Sequence, residues 1–232
     1  KTTINLNDYL KIEAKGYDSM GTLVVEFDTE KFEADYADKI ELKKKGQNIN
    51  LTKSTNQSLG ELLINLNWNQ KSAPKSGGFM SALFGKSNNV DLDLGCLFEM
   101  KNGEKGCVQA LGNAFGNYNA RPFMKLDADD RTGSAVGGEN LRINGDKVTE
   151  IKRILVYAFI YQGVANWSQA DGVVTLKYPG GSDVEVKLDE HLNGKNMCAI
   201  AMIENVNNET FKVERLVEYF KGHQDMDRAF NW

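Results

Sequence analysis

The chain has 232 residues, 41% hydrophobic and 26% charged, which is the composition of a folded globular protein rather than a disordered one. Its 28 Lys and Arg residues against 32 Asp and Glu give a net charge of −4, which argues against a nucleic-acid partner. The longest apolar run, 154–161, is far shorter than the roughly twenty residues of a membrane-spanning helix. Three cysteines are too few for a disulfide scaffold and favour a reducing, cytoplasmic setting.

Residues 1–45 form a predicted N-terminal extension, which ends in the charged stretch 41–46. A weak internal similarity joins 4–6 and 21–27 to 49–51 and 60–66. We interpret it as a partial repeat of the first strand pair, and chance similarity between amphipathic strands has about the same weight.

Short apolar runs bounded by Gly, Asn and Asp predict β-strands along most of the remaining chain. The predicted strands are Leu62–Trp68, Val90–Met100, Ile154–Tyr161, Val173–Tyr178, Val184–Leu188, Cys198–Ile203 and Phe211–Tyr219. A helical stripe then predicts a short helix over Gly222–Ala229. We therefore expect an all-β fold, a β-sandwich of two mostly antiparallel sheets with a short C-terminal helix.

Residues 71–89 interrupt this pattern as a predicted flexible insertion. Its Gly and Ser flanks surround a small apolar group, Phe79, Met80, Leu83 and Phe84. The group either folds back onto the sandwich or makes a contact with a partner or a membrane surface.

Cys96 and Cys107 flank the turn signal Asn102-Gly103. A two-residue hairpin loop there opposes Phe98 to Cys107 and makes the two sulfurs diagonal neighbours, too far apart to bond. The sequence contains no cluster of Cys and His residues of the kind that binds zinc.

Acidic residues form two groups with the chemistry of a calcium site. Asp91 and Asp93 share the polar face of one strand, where they repel each other unless a cation lies between them. A Gly-rich stretch from Asp127 to Asn140 offers further oxygens, which hard cations such as Ca²⁺ prefer. A solvated acidic surface is the simpler alternative.

At these residues the sequence resembles the TerD-domain family of bacterial tellurium-resistance and general stress proteins. The resemblance spans 46–232 and rests on Gly46 to Lys53, on Asp91-Leu-Asp93, on Asp129 to Gly133 and on Gly137 to Ile143. The ending, with Gly222-His-Gln and Asp227 to Phe230, is similar to the TerA-like branch.

The family resemblance implies a calcium-binding β-sandwich and a role in tellurite and stress resistance. By this resemblance, seven residues correspond to the metal ligands of the family: Asp91, Asp93, Asp129, Asp130, Gly133, Glu139 and Asn140. Asn89, Gly138 and Asn140 stand where the family usually has acids, so we expect one or two ions and a weakened site. Partners are expected among the other stress-response proteins of the same system.

Catalysis has little support. Asp91 and Glu139 can be paired as acid and base, but no raised pKa is readable from the sequence, and His191 and His223 lack a nucleophile motif. We therefore expect a non-catalytic module. The alternatives are a calcium-dependent carbohydrate-binding or hydrolytic sandwich, with Tyr118, Phe115 or Trp167 stacking on sugar, and a structural interaction domain whose metal site has degenerated.

Overall fold

The structure is a computed structural model that describes residues 10–15, 22–27, 39–53, 58–68, 91–127, 138–162, 167, 171–188 and 194–232. The chain divides into two compact units, Lys1–Lys39 and Ile40–Trp232. This division lies six residues before the predicted boundary at 45. The reason is that Ile40 begins a strand of the larger unit and the Leu42 side chain is buried in its core.

The smaller unit contains one antiparallel strand pair, β1 (Leu10–Lys15) and β2 (Thr22–Phe27), with Leu10 opposite Phe27. Residues 4–6, on which the proposed repeat partly depends, lie outside the described residues. The predicted insertion 71–89 also lies outside them.

The larger unit is a β-sandwich, as predicted. Its strands are β3 (Ile40–Glu41), β4 (Asn48–Asn50), β5 (Glu61–Asn67), β6 (Asp91–Met100), β7 (Lys105–Gln109), β8 (Gly116–Asn117), β9 (Met124–Leu126), β10 (Glu139–Asn144), β11 (Ile151–Gln162), β12 (Val173–Lys177), β13 (Val184–Lys187), β14 (Met197–Val206) and β15 (Thr210–Phe220), followed by the helix α1 (His223–Phe230).

These strands form a seven-stranded sheet, in the order β3-β13-β12-β5-β10-β9-β8, and a six-stranded sheet, in the order β4-β15-β14-β11-β6-β7. Within both sheets, every described strand pair is antiparallel except β3 and β13, which run parallel. The all-β class, the mostly antiparallel sheets and the C-terminal helix are therefore confirmed.

The core lies between the two sheets, because alternate residues of facing strands turn inward. In β5 these are Leu62, Ile64 and Leu66, and in β6 they include Leu92 and Leu94, all at most 1% exposed. The residues between the inward ones in β5 are partly exposed.

Strand β11 is apolar on both faces because the six-stranded sheet is covered on both sides. Ile154 and Val156 belong to the core between the sheets, whereas Tyr157 and Phe159 belong to a second cluster on the outer face. Met226 of α1 completes this second cluster. The C-terminal helix therefore covers the outer face of the central strands.

The cysteine hairpin has a different register from the predicted one. Leu97, not Phe98, lies opposite Cys107, because the connection between β6 and β7 is longer than two residues. A shift of one residue reverses the facing of every side chain on a strand. Cys96 therefore lies in the core while Cys107 packs against the outer cluster, and none of the three cysteines forms a disulfide.

Candidate functional site

The predicted metal ligands belong to the start of β6, the start of β10 and the segment before β10. Asp129, Asp130 and Gly133 lie outside the described residues, and for Asp91 only the backbone is described. Glu139 and Asn140 end the predicted Gly-rich stretch, but in the structure they are the first two residues of β10. Their orientation is therefore set by the alternation of a paired strand.

Glu139 lies between the two sheets. The inward face of β10 carries Glu139, Leu141 and Ile143, and the Glu139 side chain is 2% exposed. Its Oε2 accepts a hydrogen bond of 2.6 Å from the backbone N–H of Leu94 in β6. The pairing of β6 with β7 ends at Gly95, so this amide lies beyond the last residue that β7 pairs with. Glu139 thus links the seven-stranded sheet to the six-stranded one.

Asn140 faces the opposite way. It lies across from Asn65 in the β5–β10 pair, and its Oδ1 accepts a hydrogen bond of 2.9 Å from the Asn65 Nδ2. Its amide therefore belongs to the outer surface of the seven-stranded sheet.

Asp93 lies on the outer face of the six-stranded sheet, between the inward residues Leu92 and Leu94, and is 6% exposed. It is opposite Phe159 of β11 and close to Tyr157. Burial raises the pKa of the Tyr157 phenol, and Cys96, Cys107, Asp227 and Asp93 raise it further. The Tyr157 hydroxyl donates a hydrogen bond of 2.7 Å to the Gln109 Oε1 and remains neutral at physiological pH.

These placements decide which predicted ligands the described part of the chain brings together. Asp93, Glu139 and Asn140 share one end of the sandwich but face three directions: the outer face of one sheet, the interior, and the outer face of the other. Across the described residues, no group of three or more His, Cys, Asp or Glu side chains is close enough to hold a metal ion. The Asp91 side chain and residues 128–137 lie outside those described residues.

The acidic stretch before β10 begins with an ion pair. Asp127 accepts hydrogen bonds from the Arg142 Nε at 3.0 and 3.1 Å, and the Arg142 Nη1 lies 2.6 Å from a Glu61 oxygen. The bond with Asp127, outweighing a smaller effect of burial, raises the pKa of Arg142. Asp127 is thereby committed to an arginine on the neighbouring strand.

The aromatic candidates for sugar stacking are mostly internal. Trp167 is fully buried, and its indole N–H donates to the Lys195 carbonyl oxygen at 2.8 Å. Phe115 packs against the core, and Tyr118 is half-buried. Two of the three rings thus serve the packing of the sandwich.

No helix in the described parts of the chain combines the length and the apolar character needed to cross a membrane.

Comparison with known proteins places this sandwich among tellurium-resistance proteins. No family model matches the chain. The chain is 48% identical over 194 residues to the tellurium resistance protein TerA of an Alcaligenes species, covering 84% of this chain and 56% of TerA. The chain thus spans little more than half the length of that relative.

Two solved structures share the fold. A protein of unknown function, SAV2460, has a TM-score of 0.52 at 10% identity, and a homologue of the telluride resistance protein TerD from Streptomyces coelicolor A3(2) has a TM-score of 0.50 at 15% identity. Each match covers 73% of this chain and 95% of the solved chain. At these identities the likeness concerns the fold alone. The 48% identity to TerA shows that the chain belongs to the TerA family of tellurium-resistance proteins, and its sandwich has the fold of the solved TerD homologue.

Proposed function

We propose that the chain acts in bacterial resistance to tellurium compounds, as a non-catalytic, calcium-binding module of a cytoplasmic stress-response assembly. The observation that carries the proposal is the 48% identity to TerA over 84% of the chain. Identity of this extent spans the sandwich and its acidic segments rather than one short motif.

The calcium part of the proposal is supported by the chemistry of the ligands at the starts of β6 and β10. Asp93 and Glu139 carry carboxylate oxygens and Asn140 an amide oxygen, the hard donors that Ca²⁺ prefers, but because these side chains face different directions they do not by themselves form one coordination set. Asp91, Asp129 and Asp130 would supply the remaining negative charge, and Gly133 a backbone carbonyl. One or two ions would bind, more weakly where Asn replaces an acid.

The non-catalytic part is supported by the structural roles of two acidic residues. Glu139 accepts a backbone hydrogen bond from the opposite sheet, and Asp127 pairs with Arg142 of the neighbouring strand. Partners would be other stress-response proteins of the same system, with 71–89 as a further contact to a partner or a membrane surface.

Calcium binding is tested by isothermal titration of the protein stripped with EDTA, together with thermal unfolding in EDTA and in millimolar calcium. An ion that binds only the folded state raises its stability by about 2.7 kcal/mol at one hundred times its dissociation constant. We expect a higher melting temperature in calcium. An unchanged melting temperature and no heat of binding would favour the alternative of a structural interaction domain with a degenerated site.

The position of the site is tested with Asp93→Asn, with Asp225→Asn as the matched control. Asp225 is an exposed residue of α1 and is not one of the predicted ligands, so its substitution removes the same charge from a side chain outside the predicted site. We expect Asp93→Asn to weaken calcium binding about tenfold or more, and Asp225→Asn to leave it unchanged. Equal affinities in both variants would show that the site lies elsewhere.

A further inference from the structure

A groove of about 460 Å³ lies on the six-stranded sheet, at the end where β11 begins and β14 ends. Its lining includes four cations and one acid, Lys101, Lys152, Arg153, Lys212 and Glu204, together with polar and apolar residues of the β14–β15 hairpin. No residue of α1 lines it. We call this feature the cationic groove, and its charge is opposite in sign to the net charge of −4 of the chain.

A β-bulge concentrates positive charge in the cationic groove. Ile151 lies opposite Met100 and Arg153 opposite Glu99, so Lys152 is an extra residue on β11. The bulge lets two consecutive cations share one carboxylate: the Lys152 Nζ lies 2.6 Å from Glu99 Oε1, and the Arg153 Nε lies 2.6 Å from Glu99 Oε2. The Lys105 Nζ lies 4.0 Å from the same Oε2, so one negative charge faces three positive ones.

Arg153 is fixed by the C-terminal residues, whereas Lys152 is not. The Arg153 guanidinium donates to the carbonyl oxygens of Phe230 and Asn231 and lies 4.0 Å from the centre of the Trp232 ring. The Lys152 side chain is 54% exposed, and Glu99 takes one of the three N–H donors of its ammonium. The Arg153 side chain is thus held in place at the side of the groove, and the Lys152 ammonium has N–H donors left for a ligand.

The other two lysines lie on either side of this pair. The backbone N–H of Lys101 donates to the Glu150 carbonyl oxygen at 2.8 Å, which holds the β6–β7 turn beside the start of β11. Across the described residues, no salt bridge involves Lys101. Lys212 lies on β15, two strands from β11, at a distance of about 10 Å, and forms salt bridges of 2.7 Å with Glu204 and 3.5 Å with Glu214.

The spacing of the cations indicates the class of ligand. A single small oxyanion cannot touch lysines on strands about 10 Å apart, so the ligand carries several negative groups. None of the described residues that line the groove is aromatic, so they offer a nucleotide base no stacking surface. An extended acidic peptide presents a carboxylate about every 7 Å on one face, so neighbouring carboxylates can reach cations about 10 Å apart through their flexible side chains.

We propose that the cationic groove docks an extended acidic peptide segment of a partner protein. The docking does not depend on calcium, because the predicted calcium ligands lie around the starts of β6 and β10, and the groove lies where β6 ends and β11 begins.

The test measures fluorescence anisotropy of a labelled peptide with five Glu-Gly repeats, in EDTA and at low salt, with five Lys-Gly repeats as the reversed-charge probe. Lys101→Glu removes a groove cation that makes no described salt bridge. Lys125→Glu is the matched control, since Lys125 is an exposed residue of β9 in the other sheet and its substitution changes the net charge equally. We expect Lys101→Glu to weaken binding about tenfold, and Lys125→Glu about twofold or less.

A second variant, Lys152→Gln, keeps the test valid if charge reversal at Lys101 perturbs the fold, which thermal unfolding of each variant reports. It too is expected to weaken binding, and higher salt to weaken binding to every variant. Absence of binding, or equal weakening by Lys101→Glu and Lys125→Glu, would overturn the proposal. Binding of tripolyphosphate in place of the peptide, lost in Lys101→Glu, would also overturn it and assign the groove to phosphate ligands.

Discussion

Glu139 is a buried carboxylate whose described hydrogen bond crosses the sandwich. Its Oε2 accepts from the Leu94 amide of the opposite sheet, so the side chain adds a polar link across the mainly apolar core between the two sheets. A buried backbone N–H that loses its acceptor destabilises the fold by its full desolvation cost. The residue therefore has a structural role that does not require a metal.

Replacing Glu139 separates that structural role from calcium binding. We expect Glu139→Ala to lower the free energy of unfolding by about 1–3 kcal/mol in EDTA, and Glu139→Gln to lower it less, since the amide oxygen can still accept. Urea denaturation measures both, with Asn140→Ala as the outward-facing control. A Glu139→Ala protein as stable as the parent would show that water satisfies the Leu94 amide.

Gly95 is required by the ring of Tyr157 on the neighbouring strand. A Cβ at position 95 would lie 2.7 Å from two ring carbons, closer than real side chains approach. We expect Gly95→Ala to cost about 1–3 kcal/mol by overpacking, measured by urea denaturation. The cost should shrink in a Tyr157→Ala background, and an unchanged cost there would mean that Tyr157 is not the residue displaced.

The roles of these two residues could not be predicted from the sequence. The alternation of β6 predicts that Asp93 and Gly95 share a face, but not which ring of β11 lies over that face. The motif around Glu139 predicts an acidic loop, and only the register of β10 turns the side chain inward. Contacts between distant segments have no local signal in the chain.

How well each strand could be predicted depends on the length and regularity of its apolar pattern. Strands with a long alternating or continuous apolar run, such as β5, β6 and β11, were predicted within a few residues. The two- and three-residue strands β3, β4, β8 and β9 were not, because a period of two cannot be recognised over so few positions. The six-residue strand β10 was also missed, because its first residues were assigned to the Gly-rich acidic stretch. The β6–β7 register was wrong because the turn signal does not fix the length of the loop.

The bulged start of β11 predicts an acid-dependent loss of stability. Burial raises the pKa of Glu99, but the hydrogen bonds from Lys152 and Arg153 together lower it by more, so the pKa lies below its ordinary value of 4.5. A depressed folded-state pKa contributes stability that is complete above about pH 4.5 and is lost as the pH falls through the folded pKa.

Urea denaturation between pH 7 and pH 3 measures this contribution. We expect the free energy of unfolding of Glu99→Gln to be lower than that of the parent at pH 7, and the difference to shrink as the pH falls below about 4.5. Glu209→Gln, in the exposed β14–β15 turn, is the control and should follow the parent throughout. A difference that is constant with pH would contradict the linkage.

At the scale of the whole molecule, the sandwich begins at Ile40. Ile40 donates its backbone N–H to the Asp183 carbonyl oxygen at 2.8 Å, and Leu42 is 2% exposed. We expect a chain that begins at Ile40 to fold with the stability of the sandwich in the full chain. A chain that begins at Gly46 should lose about 2–5 kcal/mol, because it lacks β3 and the buried Leu42 side chain.

Urea denaturation of the two shortened chains against the full chain decides between the boundaries. Equal stability of the two shortened chains would show that the sandwich does not need residues 40–45 and would support a boundary at residue 45. Failure of the Ile40 chain to fold would mean that residues before 40 stabilise the sandwich.

The pairing of β4 with β15 sets the order in which the protein can be completed during its synthesis. Asn50 lies opposite Lys212, and the Thr210 hydroxyl donates to the Leu51 carbonyl oxygen across 159 positions of the chain. At about 5–20 residues per second, the ribosome makes β15 roughly 8–32 seconds after β4. Strand β4 therefore cannot pair with β15 until β15 has been translated. The nascent chain thus needs protection from aggregation during this interval.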